Sequence, residues 1–417
     1  EAYDTKVQVS SDQKVILVER YYSAANNMLQ RQVEIYSLEN GDKICSYNAG
    51  TINRSFYSGY TRCSYMLSDS STLLYTGKDG LASVDIYTGK ENFCTKNASE
   101  LKVSSKEDLI VTIDYETGTL YSFDIKGENI LECSLGSDIE YTLYDISPDS
   151  GAAALSANTS KINGILLIDT KSGESMFFNQ HGLCEGVVFS SDAKLCFLKT
   201  DTEAGLKHIV EYNTGKGKEN YLCDADWDLK TMEITGKQTC FYYHGTELYE
   251  VDNKSGKVVW EHTFASEVIS ISTGNGYLGV SCEDGSIYFY ETGSKNLVNT
   301  QAGNEEPFYF MYIDDKYACL RDYWGNDIRI YSRSQTDRED VESCSIFNNT
   351  DQLPDKWYTC STSGDSFLMG FASGSQRVFE IFDAGKLERR NTTLISDLGY
   401  SSFENLTIDI PDSQHFS

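Results

Sequence analysis

Along the whole chain, short apolar runs of five to eight residues alternate with polar, glycine-bearing turns, and no long stretch repeats with helical periodicity. One phrase recurs: an apolar strand, a tight turn containing Asp, Asn, Ser or Thr with Gly, and a second apolar strand. It appears as "VEIYSLENGDKICSY" from Val33, "LYSFDIKGENILEC" from Leu120, "ILLIDTKSGESMFF" from Ile165, "LYEVDNKSGKVVW" from Leu248 and "VFEIFDAGKLE" from Val378. Counting the copies that begin at Val84, Ile209, Ile287 and Ile328, there are nine. The turn glycines Gly41, Gly89, Gly127, Gly173, Gly215, Gly256, Gly293 and Gly385 keep a period of about 42 residues, and the eighth copy has "SRSQ" where its glycine belongs.

A second element precedes each copy: a short polar turn, then an apolar strand, as in "VSSDQKVILV", "LSDSSTLLYT", "VSSKEDLIVTI", "ISPDSGAAALS" and "FSSDAKLCFLK". With the turns at 78–80, 115–118, 244–247 and 283–285, each unit holds four strands, a to d. A four-stranded sheet cannot hide both faces alone, whereas sheets stacked on one another can. The pattern predicts an all-β fold, a single closed β-propeller of eight or nine four-stranded blades over residues 1–417. Residues 387–417 are expected to supply the last strand and a further "NLTIDI" strand that closes the ring against blade 1.

The units resemble the broad superfamily of WD-repeat and quinoprotein-like β-propellers with PQQ-type repeats. "ISPDSG" (146–151) is similar to the turn before the second strand of WD repeats, and "DNKSGKVVWE" (252–261) and "DTKSGES" (169–175) are similar to the phrase of the quinone-type repeats. The resemblance implies a fold. No third strand ends in Trp-Asp and no Gly-His pair opens a repeat, there is no Cys-Cys pair, and only four Trp occur, so no quinone or other cofactor is expected.

Composition changes the picture in three places. The formal net charge of −28 opposes binding to nucleic acid and to anionic membrane surfaces. The 12 cysteines show no ligand spacing and follow the repeat: Cys45, Cys94, Cys133 and Cys223 on fourth strands, Cys196, Cys240, Cys282 and Cys319 on second strands. They read as small apolar packing residues, and neither a metal nor a disulfide is expected. No transmembrane or signal-like segment is present, so the chain reads as a soluble domain, either cytoplasmic or extracytoplasmic with a signal or anchor removed.

Candidate chemistry is sparse. His181, His208, His244, His262 and His415 fall in different units without a catalytic motif, so no catalytic residue is assigned. Asp224, Asp226 and Asp228 alternate as in a calcium loop, but Leu229 and Thr235 occupy the places where such a loop needs Gly and Glu. Seven Asn-x-Ser/Thr sequons, beginning with Asn53, matter only in a glycosylating compartment.

The repeat is interrupted at three long connections: "ERYYSAANNMLQR" and "TINRSFYSGYTR" in the first unit and "RDYWGND" in the eighth. Ring closure would bring these units together. Tyr21, Tyr22, Tyr57, Tyr60, Tyr323 and Trp324, with Arg54, Arg62 and Arg321, are therefore the expected binding patch, because Tyr, Trp and Arg anchor recognition at low entropic cost. The function expected is a non-enzymatic binding or scaffolding module, the sensor part of a larger protein. Its partner is a protein, a peptide or a small ligand at the loop face, met by a monomeric propeller. The alternative is a hydrolase, lyase or quinone-type oxidoreductase with a composite site on the propeller axis.

Overall fold

The inner strand of a stacked sheet has one side with no strand beside it, and its backbone must be satisfied from elsewhere. In the computed structural model, side chains of the neighbouring sheet do this. The structure describes residues 2–57 and 61–136 (except 13 and 97), 140–158, 163–179, 183–189, 195–201, 207–213, 218–224, 233–235, 239–252, 257–274, 276–303, 307–313, 317–322, 328–332, 343–345, 356–363, 366–373, 376–383, 388–395 and 408–409.

Among these residues lie nine antiparallel sheets, each a meander of four consecutive strands. The first sheet comprises β1 (Ala2–Val9), β2 (Val15–Ser23), β3 (Met28–Ser37) and β4 (Lys43–Asn53), followed by a helical turn, Arg54–Phe56. The second comprises β5 (Ser64–Met66), β6 (Thr72–Gly77), β7 (Gly80–Asp85) and β8 (Glu91–Cys94). The third comprises β9 (Glu100–Val103), β10 (Leu109–Asp114), β11 (Thr119–Asp124) and β12 (Asn129–Ser134). The fourth comprises β13 (Glu140–Ile146), β14 (Ala152–Asn158), β15 (Asn163–Asp169) and β16 (Ser175–Asn179), and the fifth lies within 183–224. These five and the strand at 408–409 form one compact unit, and the four sheets from 233 to 395 lie in a second. Ile408–Asp409 adds a fifth strand to the first sheet, parallel to β1, with Val7 opposite Ile408 and Gln8 opposite Asp409.

Burial follows strand position. Every residue of β10, "LIVTID", is buried, as a strand sandwiched on both faces requires, whereas β12 alternates exposed and half-buried residues at the sheet's outer edge. Leu101, Ile110, Tyr121 and Phe123 of the third sheet pack with Leu67, Leu74 and Leu81 of the second; Ile113 and Leu120 pack with Leu143 and Leu155 of the fourth.

Polar bonds then hold one sheet to the next. The Gln8 amide donates to Met66 O at 2.8 Å and accepts from Met66 N at 2.8 Å, acting as a short strand beside β5. Glu19 accepts from Ser64 N (2.8 Å), Ser64 Oγ (2.7 Å) and Cys63 N (3.4 Å). The a–b turns are linked as well: Asp12 N donates to Ser70 Oγ, Ser68 N and Oγ donate to the Glu107 carboxylate, and Ser150 Oγ donates to Asp108 at 2.6 Å. The motif that resembles the WD-repeat turn is thus a fastening between sheets.

The c–d turns have the expected glycines at positive φ: Gly41 (77°), Gly89 (67°), Gly127 (85°) and Gly173 (72°). Asp85 and Asp169 hold their turns by accepting from the backbone two and three residues on. The seventh sheet departs from expectation. There Lys295, not Gly293, takes the left-handed position (φ 60°) and its N–H bonds Glu291 O, because "ETGSKN" puts the turn's last residue two places beyond the glycine. Gly215, Gly256 and Gly385 lie outside the described residues.

The eight repeat-following cysteines fall on the fourth and second strands as expected. Cys282 is buried, but Cys94 is exposed and Cys45 and Cys133 are half-buried, since fourth strands form the outer edge; packing is therefore not the role of Cys94.

Two glycines separate strain from collision. A Cβ on Gly89 meets nothing within 4 Å, whereas one on Gly80 (φ 117°) would lie 1.9 Å from Thr95 O and 2.3 Å from Lys96 O. Gly89→Ala is expected to cost about 1–2 kcal/mol, the left-handed penalty alone, and Gly80→Ala more than about 3 kcal/mol. Urea unfolding of both variants checks the ordering; equal losses would show that β7 does not approach residues 95–96 this closely.

Candidate functional site

The first interruption of the repeat is not a long loop. β2 and β3 run on to Ser23 and from Met28, with Tyr21 opposite Arg31 and Tyr22 opposite Gln30, so 19–31 is an extended hairpin closed at Ala25–Met28. Asn26 and Asn27 both have φ of 58°, which gives the two-residue turn that matches strand twist. Ala24 N donates to Met28 O at 2.9 Å.

This tip is tied to the helical turn that follows β4. Arg54 N donates to Asn27 O at 2.9 Å, Asn27 Nδ2 to Asn53 Oδ1 at 3.4 Å, and Asn53 Oδ1 caps the turn by accepting from Ser55 N at 3.0 Å. Phe56 anchors it from below, stacked on Tyr115 of the third sheet with centroids 4.9 Å apart. Asn26, Asn27, Arg54 and Ser55 are exposed on this support.

The expected patch residues divide. Tyr22 is half-buried and Arg54 exposed at the tip. Tyr21, one residue along the strand and therefore on the opposite face, is fully buried, and its hydroxyl shares its proton between Glu19 (2.8 Å) and Thr61 O (3.2 Å). Tyr57 packs on Tyr21 at 4.8 Å and its hydroxyl bonds the Asp4 carboxylate. Arg62 is half-buried two residues before β5. Tyr60, Tyr323 and Trp324 lie outside the described residues, as do Asp226 and Asp228. Arg321 is the last residue but one of the strand Tyr317–Asp322, and its side chain is likewise outside the description.

Sequence reasoning missed an inner group of ionisable side chains. Lys6, 1% exposed, donates to Thr61 O and lies over the rings of Tyr57 (5.0 Å) and Tyr21 (5.5 Å). Burial, and then the like charges of Arg62 and Lys102, hold its ammonium down to about 8 against the pull of Glu19 and Asp4. Glu100, at the start of β9, is fully buried, and its carboxylate accepts from the Tyr115 hydroxyl. Burial raises its carboxyl to about 7, against Lys102, the Tyr115 bond, Lys6 and the Leu143 N–H. Asp145 of β13 is pushed up to about 6 by crowding, opposed by Lys102 and the Ile146 N–H. The available signal was charge at alternate positions of inner strands, "YDTKVQV" and "ELKV".

Among the described residues, no three His, Cys, Asp or Glu side chains are arranged to hold a metal ion, and no helix is long and apolar enough to cross a membrane. No family model and no curated protein matches the chain. Among solved structures it is similar to the dihydro-heme d1 dehydrogenase NirN in complex with DHE, at 10% identity over 93% of this chain and 74% of that one, with a TM-score of 0.46. It is similar also to the computationally designed Ika8 protein (13% identity, 83% and 98% covered, TM-score 0.40) and to Saccharomyces cerevisiae Sqt1 (10%, 77% and 94%, 0.39). At these levels none of them supplies a residue role, a ligand or a partner, and what the described residues themselves show is an all-β chain of four-stranded antiparallel sheets.

Glu100 sets a pH dependence. Its folded carboxyl ionises above the ordinary glutamate range, so the fold loses stability as pH rises from about 4.5 to about 7, where the unfolded chain is already ionised. Glu100→Gln removes that loss. Chemical unfolding should find the variant near wild type at pH 4.5 and more stable by roughly 1–3 kcal/mol at pH 8; a variant less stable at pH 8 would mean that the ionised carboxylate is well satisfied in the fold.

Proposed function

We propose that the chain is one closed nine-bladed β-propeller that acts as a non-enzymatic binding or scaffolding module, recognising a protein or peptide at the loop face of its first blade. The nine meanders and the parallel strand that brings residues 408–409 to β1 support ring closure. The observation that carries the function is the fixed projection made by the β2–β3 tip and the Arg54–Phe56 turn. Its exposed polar groups are bonded to one another before any partner arrives, so little ordering entropy remains to be lost on binding.

The projection offers Arg54, a cation on a strongly acidic chain, and the β2 strand that leads to its tip carries the half-buried ring of Tyr22. That pairing suits a contact in which an aromatic supplies area and a guanidinium supplies direction. The eighth-unit residues Tyr323, Trp324 and Arg321, expected from the sequence to belong to the patch, are tested beside them.

The test compares the full chain with Tyr22→Ala/Arg54→Ala and with Tyr323→Ala/Trp324→Ala, each checked for an unchanged circular dichroism spectrum. A protein captured by the wild-type chain and then purified should lose at least tenfold in affinity for the first variant. Unchanged binding by both variants would overturn the reading. Loss in the second alone would move the contact to the eighth blade.

A further inference from the structure

A fourth strand has a neighbour on one side only, so each sheet ends in a row of backbone N–H and C=O groups that another strand can pair with. Most of these edges are guarded. β4, β8, β12 and the fourth strands Lys218–Asp224, Lys257–Thr263, Leu297–Gln301 and Glu388–Ile395 each shift register against the third strand of their sheet, the mark of a bulge that bends the edge. The fourth strand of the eighth sheet is only Ser343–Ser345. β16, "SMFFN", has neither guard: it pairs with β15 in unbroken register, from Ser175 opposite Ile168 to Asn179 opposite Gly164. It also has no charged residue, which among the bulged strands is true only of Leu297–Gln301.

Asp169 N donates to Glu174 O at 2.8 Å where the β15–β16 hairpin begins. Bonded and unbonded positions alternate from there along an antiparallel pair, so Met176 and Phe178 bond to β15 while the backbone groups of Ser175, Phe177 and Asn179 point to the open edge. Among the described residues no strand pairs with that edge. Its surroundings are apolar: Met176 is 41% and Phe177 40% exposed, and Ile130 of β12, on the third sheet, is 42% exposed. The third and fourth sheets touch here, where Cys133 Sγ of β12 lies 3.9 Å from Gly173 O in the turn that leads into β16. From the fifth sheet the Tyr212 hydroxyl donates to Met176 Sδ at 2.8 Å, which fixes that side chain.

We propose that β16 pairs with β16 of a second copy of the chain, antiparallel about a two-fold axis at Phe177. Two-fold symmetry allows an antiparallel pair only where one residue faces itself, and Phe177 is the choice that uses every outward backbone group. Ser175 then stands opposite Asn179, Met176 opposite Phe178 and Phe177 opposite Phe177, so that polar residues face polar and apolar face apolar. Charge selects this edge for a second copy. Each chain carries a formal −28, and two copies approach best where no like charges are forced together; this register opposes no ionisable residue to another. A basic partner finds no carboxylate on the strand. Area sets the strength: two such strands with Met176, Phe177 and Ile130 about two-fifths exposed bury less than the roughly 1,200 Å² of a stable interface. The dimer is therefore weak, with a dissociation constant on the order of 10–100 μM. The contact involves neither the hairpin tip nor the function proposed for it, and it makes the chain a weak dimer in place of the monomer expected from the sequence.

Sedimentation equilibrium of the full chain, up to about 500 μM, tests this. A monomer–dimer equilibrium is expected, and it should tighten at higher salt, because screening reduces the repulsion between two acidic chains. Phe177→Lys sets two ammonium groups face to face at the axis and Phe177→Glu two carboxylates; each should weaken the dimer at least about tenfold. An equimolar mixture of the two variants should associate again, since Lys then faces Glu. Leu297→Lys, at a residue 48% exposed on a bulged edge, should leave the dimer unchanged. Melting temperatures report whether each variant folds. Ser175→Pro, which removes an outward donor at the first residue of the strand, gives a second reading of the same edge and should also weaken the dimer. A wild-type chain that stays monomeric would leave the edge to a strand of another protein and overturn the proposal. So would folded Phe177→Lys or Ser175→Pro chains that dimerise like wild type, a mixture that fails to associate, or association that weakens with salt.

Discussion

The structure depends on how the inner strand of each four-stranded sheet satisfies the backbone on its unpaired side. A strand with an open edge invites another chain, or leaves N–H and C=O groups that cost free energy once buried. Here the neighbouring sheet answers with side chains. The Gln8 amide stands in for a strand beside Met66, and Glu19 receives the backbone N–H groups of Cys63 and Ser64. In the second unit Ser270 Oγ accepts from Phe310 N. These polar residues are buried because the edge requires them. A carboxylate such as Glu19, with four donors around it, is tolerated where an unpartnered one would not be.

What was legible in the sequence was local. A left-handed residue and an Asx turn leave marks within five residues, so Gly41, Gly89, Gly127 and Gly173 could be read as turn positions and the strand pairs placed around them. The seventh turn shows the limit: its glycine is present, but Lys295 takes the strained position, and its ammonium then reaches Glu250 at 2.7 Å and lies 4.7 Å over Phe241. Trp260 behaves as a wedge, edge-on to Phe241 of its own sheet and to Tyr290 of the next. The first hairpin departs from the expected long loop because Asn-Asn between alternating residues makes a two-residue turn.

Site residues were less legible, since a strand's alternation decides which face a side chain takes and a supposed loop conceals it. Once 19–23 is strand, Tyr21 and Tyr22 must part, one inward to Glu19 and one to the surface. The inner cations were out of reach for another reason. Lys6, Arg62 and Lys102 are separated by 56 and 40 residues, and no motif joins them; they meet only through the stacking of successive sheets.

One side chain links the projection to the buried charges beneath it. Tyr57 N–H bonds Arg54 O and so closes the helical turn of the projection, while its ring faces Lys6 and its hydroxyl holds Asp4. Through Tyr21, packed on the same ring, the connection continues to Glu19 and the backbone of β5. The projection is therefore rigid for the same reason that the inner charges are tolerated. An aromatic pair with polar tips fills the space between the first two sheets, giving the exposed tip a footing and the buried ammonium two ring faces in place of water.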